Sequence, residues 1–153
     1  MAELFLPLAL LGNSLTAGGL LVVMVSSAPL RLALPADRAV QVHQLLTRPM
    51  EPLMPTCMAL GIVSDVAFQF TTEHHAAGIL CGIAATMQLK AVLVSLTKNV
   101  RINRWMASLD HTDLPDDFAE RDPRAEWRKW NKVRALCALC ALLLNIVVVG
   151  LMI

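Results

Sequence analysis

The sequence predicts an all-α membrane four-helix bundle, and three observations predict it. Apolar residues fill 56% of the 153 positions and the mean hydropathy is +0.59, which is greasier than a water-soluble chain of this size tolerates. Four runs, about 4–27, 52–70, 76–97 and 134–153, reach the roughly 20 residues that a ~30 Å hydrocarbon layer demands of a helix. The basic residues are segregated by loop. Arg31, Arg38 and Arg48 follow the first run, nine of the thirteen Lys and Arg residues lie from Lys98 to Arg134, and none stands between the second and third runs. Positive charge concentrates in cytoplasmic loops. Loops one and three are therefore expected inside the cell membrane and both termini outside it, with the chain forming a single integral membrane domain, 1–153.

The first run resembles a secretory leader at Ser26-Ser27-Ala28, but only Glu3 precedes the apolar stretch and Pro29 follows the small residues, so it is read as a retained span. Gly12, Ser14, Thr16, Ala17, Gly18 and Gly19 suit close helix packing in lipid. Asn13 stands out among them. Pro29 and Pro35 are expected to end the span, because proline donates no helical hydrogen bond and restricts the residue before it. From Ala36 to Arg48, Ala39, Val42, Leu45 and Leu46 share one face, which predicts a cytoplasmic interfacial helix between spans one and two. Pro49, Pro52 and Pro55 are then expected to start the second span.

Span two carries Met50, Met54, Cys57 and Met58 at helical spacing, a packing stripe rather than a soft-metal site. Asp65 lies in the outer part of the span, and a carboxylate inside a membrane is costly and usually faces a partner or a watery cavity. The level of Lys90 differs from that of Asp65 by roughly 13 Å at 1.5 Å per residue, which opposes a direct pair and leaves Lys90 to snorkel inward or join an inner polar site. The turn Thr71–His75 is short enough to make spans two and three a hairpin, and its adjacent histidines point about 100° apart, too divergent for one metal. The acidic loop Leu109–Asp122 lacks the glycine and distal glutamate of a calcium loop. Asp122-Pro123 reads as an N-cap followed by proline at the first helical position. From there a helix of roughly 45 Å runs to the end, with Trp127, Trp130, Asn131, Arg134 and Asn145 on one broad face. The four cysteines all fall inside spans, which argues against a secreted disulfide framework.

The richest chemistry lies where the third and fourth spans meet the cytoplasmic interface. Thr97-Lys98-Asn99-Val100-Arg101-Ile102-Asn103 and Trp127-Arg128-Lys129-Trp130-Asn131-Lys132-Val133-Arg134 repeat amides, indoles and guanidiniums at helical spacing. On these residues the chain resembles the anthrone oxygenase-like family of small four-helix membrane proteins. The family pattern has a glycine-containing first span leading to proline and leucine, as in Gly18 to Leu30. It continues with Asn-Val-x-x-Asn, matched by Asn99 to Asn103, and Trp-x-x-Trp-Asn-x-Val-Arg, matched by Trp127 to Arg134. Arg101 replaces the family's usual proline, Lys132 a common histidine and Ala135 a common threonine.

The resemblance implies oxidation of an anthrone to an anthraquinone by molecular oxygen, without metal or flavin. The expected partners are an apolar phenolic or polyketide-like substrate, oxygen and the lipid bilayer, with no nucleic acid; a homo-oligomer is compatible with the sequence. An anthrone is acidic at the carbon between its rings, so a base and an oxyanion-binding environment suffice to make it react with oxygen. The candidate oxyanion stabilisers are Arg134 and Asn103, and the candidate bases are His43 and Lys132. Trp127 and Trp130 are the candidate ring-stacking walls, with Asn99 and Asn131 as further substrate contacts. Two other classes compete. A non-enzymatic membrane subunit or small-molecule permease would use Asn13, Asp65, Lys90 and Asn145. A quinone-linked thiol oxidoreductase would use Cys137 and Cys140, which a regular helix holds about 60° apart.

Overall fold

The computed structural model describes residues 2–153, with side chains from Leu4 onward. The described chain is all α. Four stretches, Leu4–Ala33, Ala36–Thr71, His75–Ser108 and Phe118–Met152, are long and apolar enough to cross a membrane. The first comprises α1 (Ala2–Val22), a π-helical turn (Val23–Ser27) and α2 (Ala28–Ala33). The second is α3 (Ala36–Thr71), and the third is α4 (His75–Val94), a π-helical turn (Ser95–Asn99) and α5 (Val100–Ser108). After the acidic loop come the short α6 (Phe118–Arg121) and the long α7 (Arg124–Met152). Helix α1 packs on α3 and α7, and α4 packs on the same two. The result is an up-down-up-down ring with every neighbouring pair antiparallel.

The interior is built of small side chains. Ala9, Ala17, Ala84, Ala91, Ala135, Ala138 and Ala141 are fully buried, while Leu15, Ile79, Leu93, Leu143 and Ile146 point outward. A water-soluble bundle would place its large aliphatic residues inside, whereas in lipid they gain nothing by burial and small residues let the backbones approach. The tightest approach is between α1 and α3, where a Cβ added to Gly12 would stand 2.5 Å from the Gly61 amide nitrogen and 2.8 Å from the Cys57 carbonyl oxygen. Lys90 is exposed on the outer face, from which its long stem can carry the ammonium toward water.

The prolines behave differently from the sequence expectation. No separate interfacial helix lies between the first and second spans: residues 36–48 are continuous with the second span in the 36-residue α3, which contains Pro49, Pro52 and Pro55. Each proline frees the carbonyl four residues back, on Leu45, Arg48 and Glu51. All three prolines and all three of those residues are exposed, so the helix passes through the prolines without leaving a buried carbonyl unpaired. Pro29 does not end the first span either. It follows the π-helical turn, in which the Ala28 amide bonds to the Val23 carbonyl, and the widened turn makes room for a ring that an α-helix would push against a carbonyl. Pro35, with ψ of 155°, does break the chain between α2 and α3.

Two devices close the basic end, the end holding Lys98 to Arg134. Arg124 pairs with Asp122 at 2.6 Å and donates through Nη1 to the Arg31 and Leu34 carbonyls at 2.9 and 2.8 Å, satisfying carbonyls at the C-terminus of α2 with a cation. Gln44 donates through Nε2 to the Met106 and Leu109 carbonyls at 3.0 and 2.9 Å, fixing the end of α5 against α3. Helix α7 starts one residue later than the sequence suggests, at Arg124, whose amide bonds to Asp122 Oδ1 at 3.0 Å. In the loop, hydrogen bonds from the Thr112 hydroxyl and amide hold the Asp110 carboxyl below the usual carboxylate range.

Candidate functional site

Helix periodicity places Trp127, Asn131 and Arg134 at i, i+4 and i+7 on one face of α7. They form a chain of bonds: Asn131 Nδ2 donates to the Trp127 carbonyl at 2.9 Å, and Arg134 Nη1 donates to Asn131 Oδ1 at 3.1 Å. Trp127 Nε1 donates to Asn103 Oδ1 at 2.8 Å. That bond orients the Asn103 amide, because its oxygen is occupied and its NH2 remains the free donor. Asn99 closes the second π-helical turn and is buried, with neither amide atom hydrogen-bonded among the described residues. Asn103 thus faces α7, and Asn99 lines the same cavity as Asn131 and Arg134. A π-helical turn adds a residue relative to the α-helical repeat, and such turns recur at functional sites.

Arg31, from α2, completes the cluster. Its guanidinium lies 4.3 Å from the Trp127 ring centroid and faces His43 Nδ1 at 3.2 Å. Arginine can only donate, so Nδ1 accepts and the ring of His43 is neutral with its proton on Nε2. His43 also meets Trp127 edge-on, with ring centroids 5.3 Å apart. Arg31 is 4% exposed, yet the ion pairs among the described residues involve only Arg38, Arg121 and Arg124. Arg31 and Arg134 have no carboxylate partner, and the Nε of each is buried without a hydrogen bond, as is His43 Nε2.

These groups surround a half-open cavity of about 350 Å3 between the first, second, third and fourth spans. Arg31, Asn99, Asn103, Trp127, Asn131 and Arg134 line its polar side, and Leu20, Val23, Met50 and Met54 its apolar side. Cavities of ligand-binding size begin near 300 Å3. His43 lies in the adjoining recess, which shares Thr47, Glu51 and Asn103 with the main cavity. Five of the sequence candidates, Arg134, Asn103, Asn131, Asn99 and Trp127, thus converge on one space, with His43 next to it. Lys132 is exposed and Trp130 faces away, its Nε1 donating to Glu126 Oε1 at 3.2 Å between Lys98 and Lys129. Sequence reasoning missed Arg31, which reads as one basic residue of a cytoplasmic loop; its only signal is its place two residues after Pro29.

The other polar residues have a different arrangement. Asn13, Asp65, Gln88 and Asn145, one from each of α1, α3, α4 and α7, are fully buried and bonded to one another. Asp65 accepts from Asn13 Nδ2 at 2.8 Å and from Asn145 Nδ2 at 2.7 Å, and Asn13 Oδ1 accepts from Gln88 Nε2 at 2.6 Å. Asn13 Nδ2 also contacts Asn145 Oδ1. These side chains spend most of their bonding capacity on each other, which is the pattern of a structural clasp. Cys137 and Cys140 are unbonded to each other, and Cys140 is exposed on the outer face.

The sequence model of the family described as anthrone oxygenase matches residues 43–144, well over half of the chain and including every cavity-lining residue from α3, α5 and α7 named above. No curated protein and no solved structure matches significantly.

Proposed function

Because the chain belongs to the anthrone oxygenase family, we propose that it is a cofactor-independent membrane oxygenase acting in the basic-end cavity on an apolar, phenol-like substrate drawn from the bilayer. The observation that carries this reading is a pair of guanidiniums without carboxylates, Arg31 buried and Arg134 half-buried with its Nε enclosed, beside unpaired amides around one cavity. Such an array is prepared for negative charge that arrives with, or develops on, a ligand. We place this end on the cytoplasmic side, from the distribution of basic residues.

In the proposed reaction a base removes a proton from the carbon between the rings, and the charge spreads to the substrate oxygen. Arg134, aligned by Asn131, and the free NH2 groups of Asn103 and Asn99 stabilise that oxyanion. Trp127 provides a flat wall. The electron-rich carbon reduces oxygen and forms a C–O bond, giving a peroxide anion. The protonated base returns the first proton to that peroxide; loss of the second C–H proton to the base then breaks the O–O bond, leaving a carbonyl and hydroxide, which takes up this second proton to become water. The sum is one CH2 and one O2 converted to one C=O and one H2O. Of the two candidate bases, His43 is the nearer to the cavity. Its Nδ1 lone pair accepts from Arg31, so it can take a proton only when Arg31 turns that N–H elsewhere. Lys132 is the alternative base, and Trp130 the alternative wall, if the interface rearranges around substrate.

The test is oxygen uptake by the purified protein with an anthrone, for wild type and Arg134→Lys, alongside thermal stability. Lysine keeps the charge and loses the planar fork, and loss of one oxyanion donor costs on the order of 10²-fold in rate. Absence of protein-dependent uptake by wild type would refute the oxygenase reading. Full uptake by a stable Arg134→Lys protein would remove Arg134 from the oxyanion site.

A further inference from the structure

We propose that the ligand of the basic-end cavity is an aromatic acid, a fused-ring phenol bearing a fixed carboxylate, and that Arg31 pairs with this carboxylate while Arg134 serves the reacting oxygen. The proposal rests on the reading of this cavity as a substrate site and adds the chemical class of the substrate.

One developing oxyanion needs one guanidinium, and the cavity has two, Arg31 buried and Arg134 half-buried, neither paired with a carboxylate. Arg31 lies over the Trp127 ring, whereas Arg134 reaches back to Asn131. At 1.5 Å per residue Trp127 stands about 6 Å along the helix from Asn131 and about 10 Å from Arg134. One oxygen bonding at ~2.9 Å has little prospect of serving both. Two negative groups at opposite ends of a planar ligand would serve both.

The charge at the cavity leads to the same ligand. Arg31, Arg104, Arg134 and Glu51 are its charged lining residues. Glu51 and Arg104 are exposed, and Glu51 pairs with neither Arg31 nor Arg134. A buried guanidinium without a counter-ion is costly. Among the described residues the Arg31 guanidinium bonds to the neutral His43 ring and stacks on the Trp127 face, and its Nε is unpaired. A ligand carboxylate would supply the missing charge and acceptors. It would also draw the Arg31 N–H away from His43 Nδ1, so that occupation by the acid makes the candidate base available.

The probe pair is anthraquinone-2-carboxylate and its methyl ester, with binding to the detergent-solubilised protein followed by tryptophan quenching and checked by calorimetry. The acid is expected to bind wild type about tenfold or more tightly than the ester, and Arg31→Gln to abolish that preference while leaving ester binding within about twofold. Equal binding of acid and ester by wild type would overturn the proposal without any variant, so the test survives if Arg31→Gln fails to fold. A preference retained in a folded Arg31→Gln protein would overturn it as well. Displacement of the acid by phosphatidylglycerol and not by phosphatidylcholine would assign Arg31 to a lipid phosphate, again against the proposal. Acid preference without oxygen uptake would sink the oxygenase reading alone, and oxygen uptake without acid preference would sink this one alone.

Discussion

Replacing Gly12 by alanine should destabilise the bundle far more than the same change six residues later in the same helix. The added Cβ would meet only backbone: the Gly61 nitrogen at 2.5 Å, the Cys57 oxygen at 2.8 Å and the Gly61 Cα at 2.9 Å. No rotamer change relieves contacts with backbone, so α1 and α3 must separate by about an ångström to reach ordinary contact. A gap of that size forfeits a quarter to a half of the dispersion energy of each pair it opens. It also pulls Asn13 away from Asp65. Overpacking of this kind costs about 1–3 kcal/mol, and a lost interhelical hydrogen bond in a membrane about 0.6 more, for a total of about 1.6–3.6 kcal/mol. At Gly18 the added methyl meets nothing within 4 Å, and alanine favours helix over glycine by about 1 kcal/mol, so Gly18→Ala should be neutral or slightly stabilising. Unfolding in mixed micelles with increasing sodium dodecyl sulfate measures both. Equal midpoints for Gly12→Ala and Gly18→Ala would refute the packing argument, since the two changes differ only in what the methyl touches.

Three further outcomes are expected. Asp65→Asn offers one acceptor where Asn13 and Asn145 both donate, so it should lose on the order of 1–2 kcal/mol in the same micelle titration; wild-type stability would show that the clasp bears no load. His43→Gln should lower anthrone-dependent oxygen uptake by 10²-fold or more if His43 is the base, and Lys132→Gln should lower it far less, because Lys132 is exposed away from the cavity. The reverse order would make Lys132 the base. With cysteines introduced as Asp113→Cys and Glu73→Cys in a chain lacking its native thiols, an impermeant maleimide on intact cells should label only the Glu73 position; labelling at Asp113 would invert the orientation.

The spans were legible because a hydrocarbon solvent imposes a length and a polarity on each helix. The cavity-lining face of α7 was legible because 127, 131 and 134 follow helical spacing, whatever the tertiary structure. Continuity of α3 through Pro49, Pro52 and Pro55 was not, since the cost of a proline depends on whether the carbonyl it frees can find water, and exposure is a tertiary property. Level counting opposed Lys90 as the partner of Asp65, and it could not choose among the remaining polar groups without knowing which helices adjoin. Gln88 escaped notice altogether, a single amide in an apolar run. Arg31 was hidden by the same proline rule: a break expected at Pro29 places it in a loop, whereas the π-helical turn carries the helix on and delivers the guanidinium to the cavity.

The clasp also has a temporal side. Asn13, Asp65, Gln88 and Asn145 belong to helices that leave the ribosome one after another, so Asp65 meets its first donor early and its second only when α7 arrives. Until then a three-helix intermediate holds a carboxylate with an open bonding position inside lipid, a state that invites either a provisional partner or recognition by membrane proteases. Arrival of Asn145 closes the bonding circuit and at the same time brings Trp127, Asn131 and Arg134 to the cavity. Completion of the site is thereby tied to completion of the fold, and a chain stalled before α7 would be unfinished in both respects.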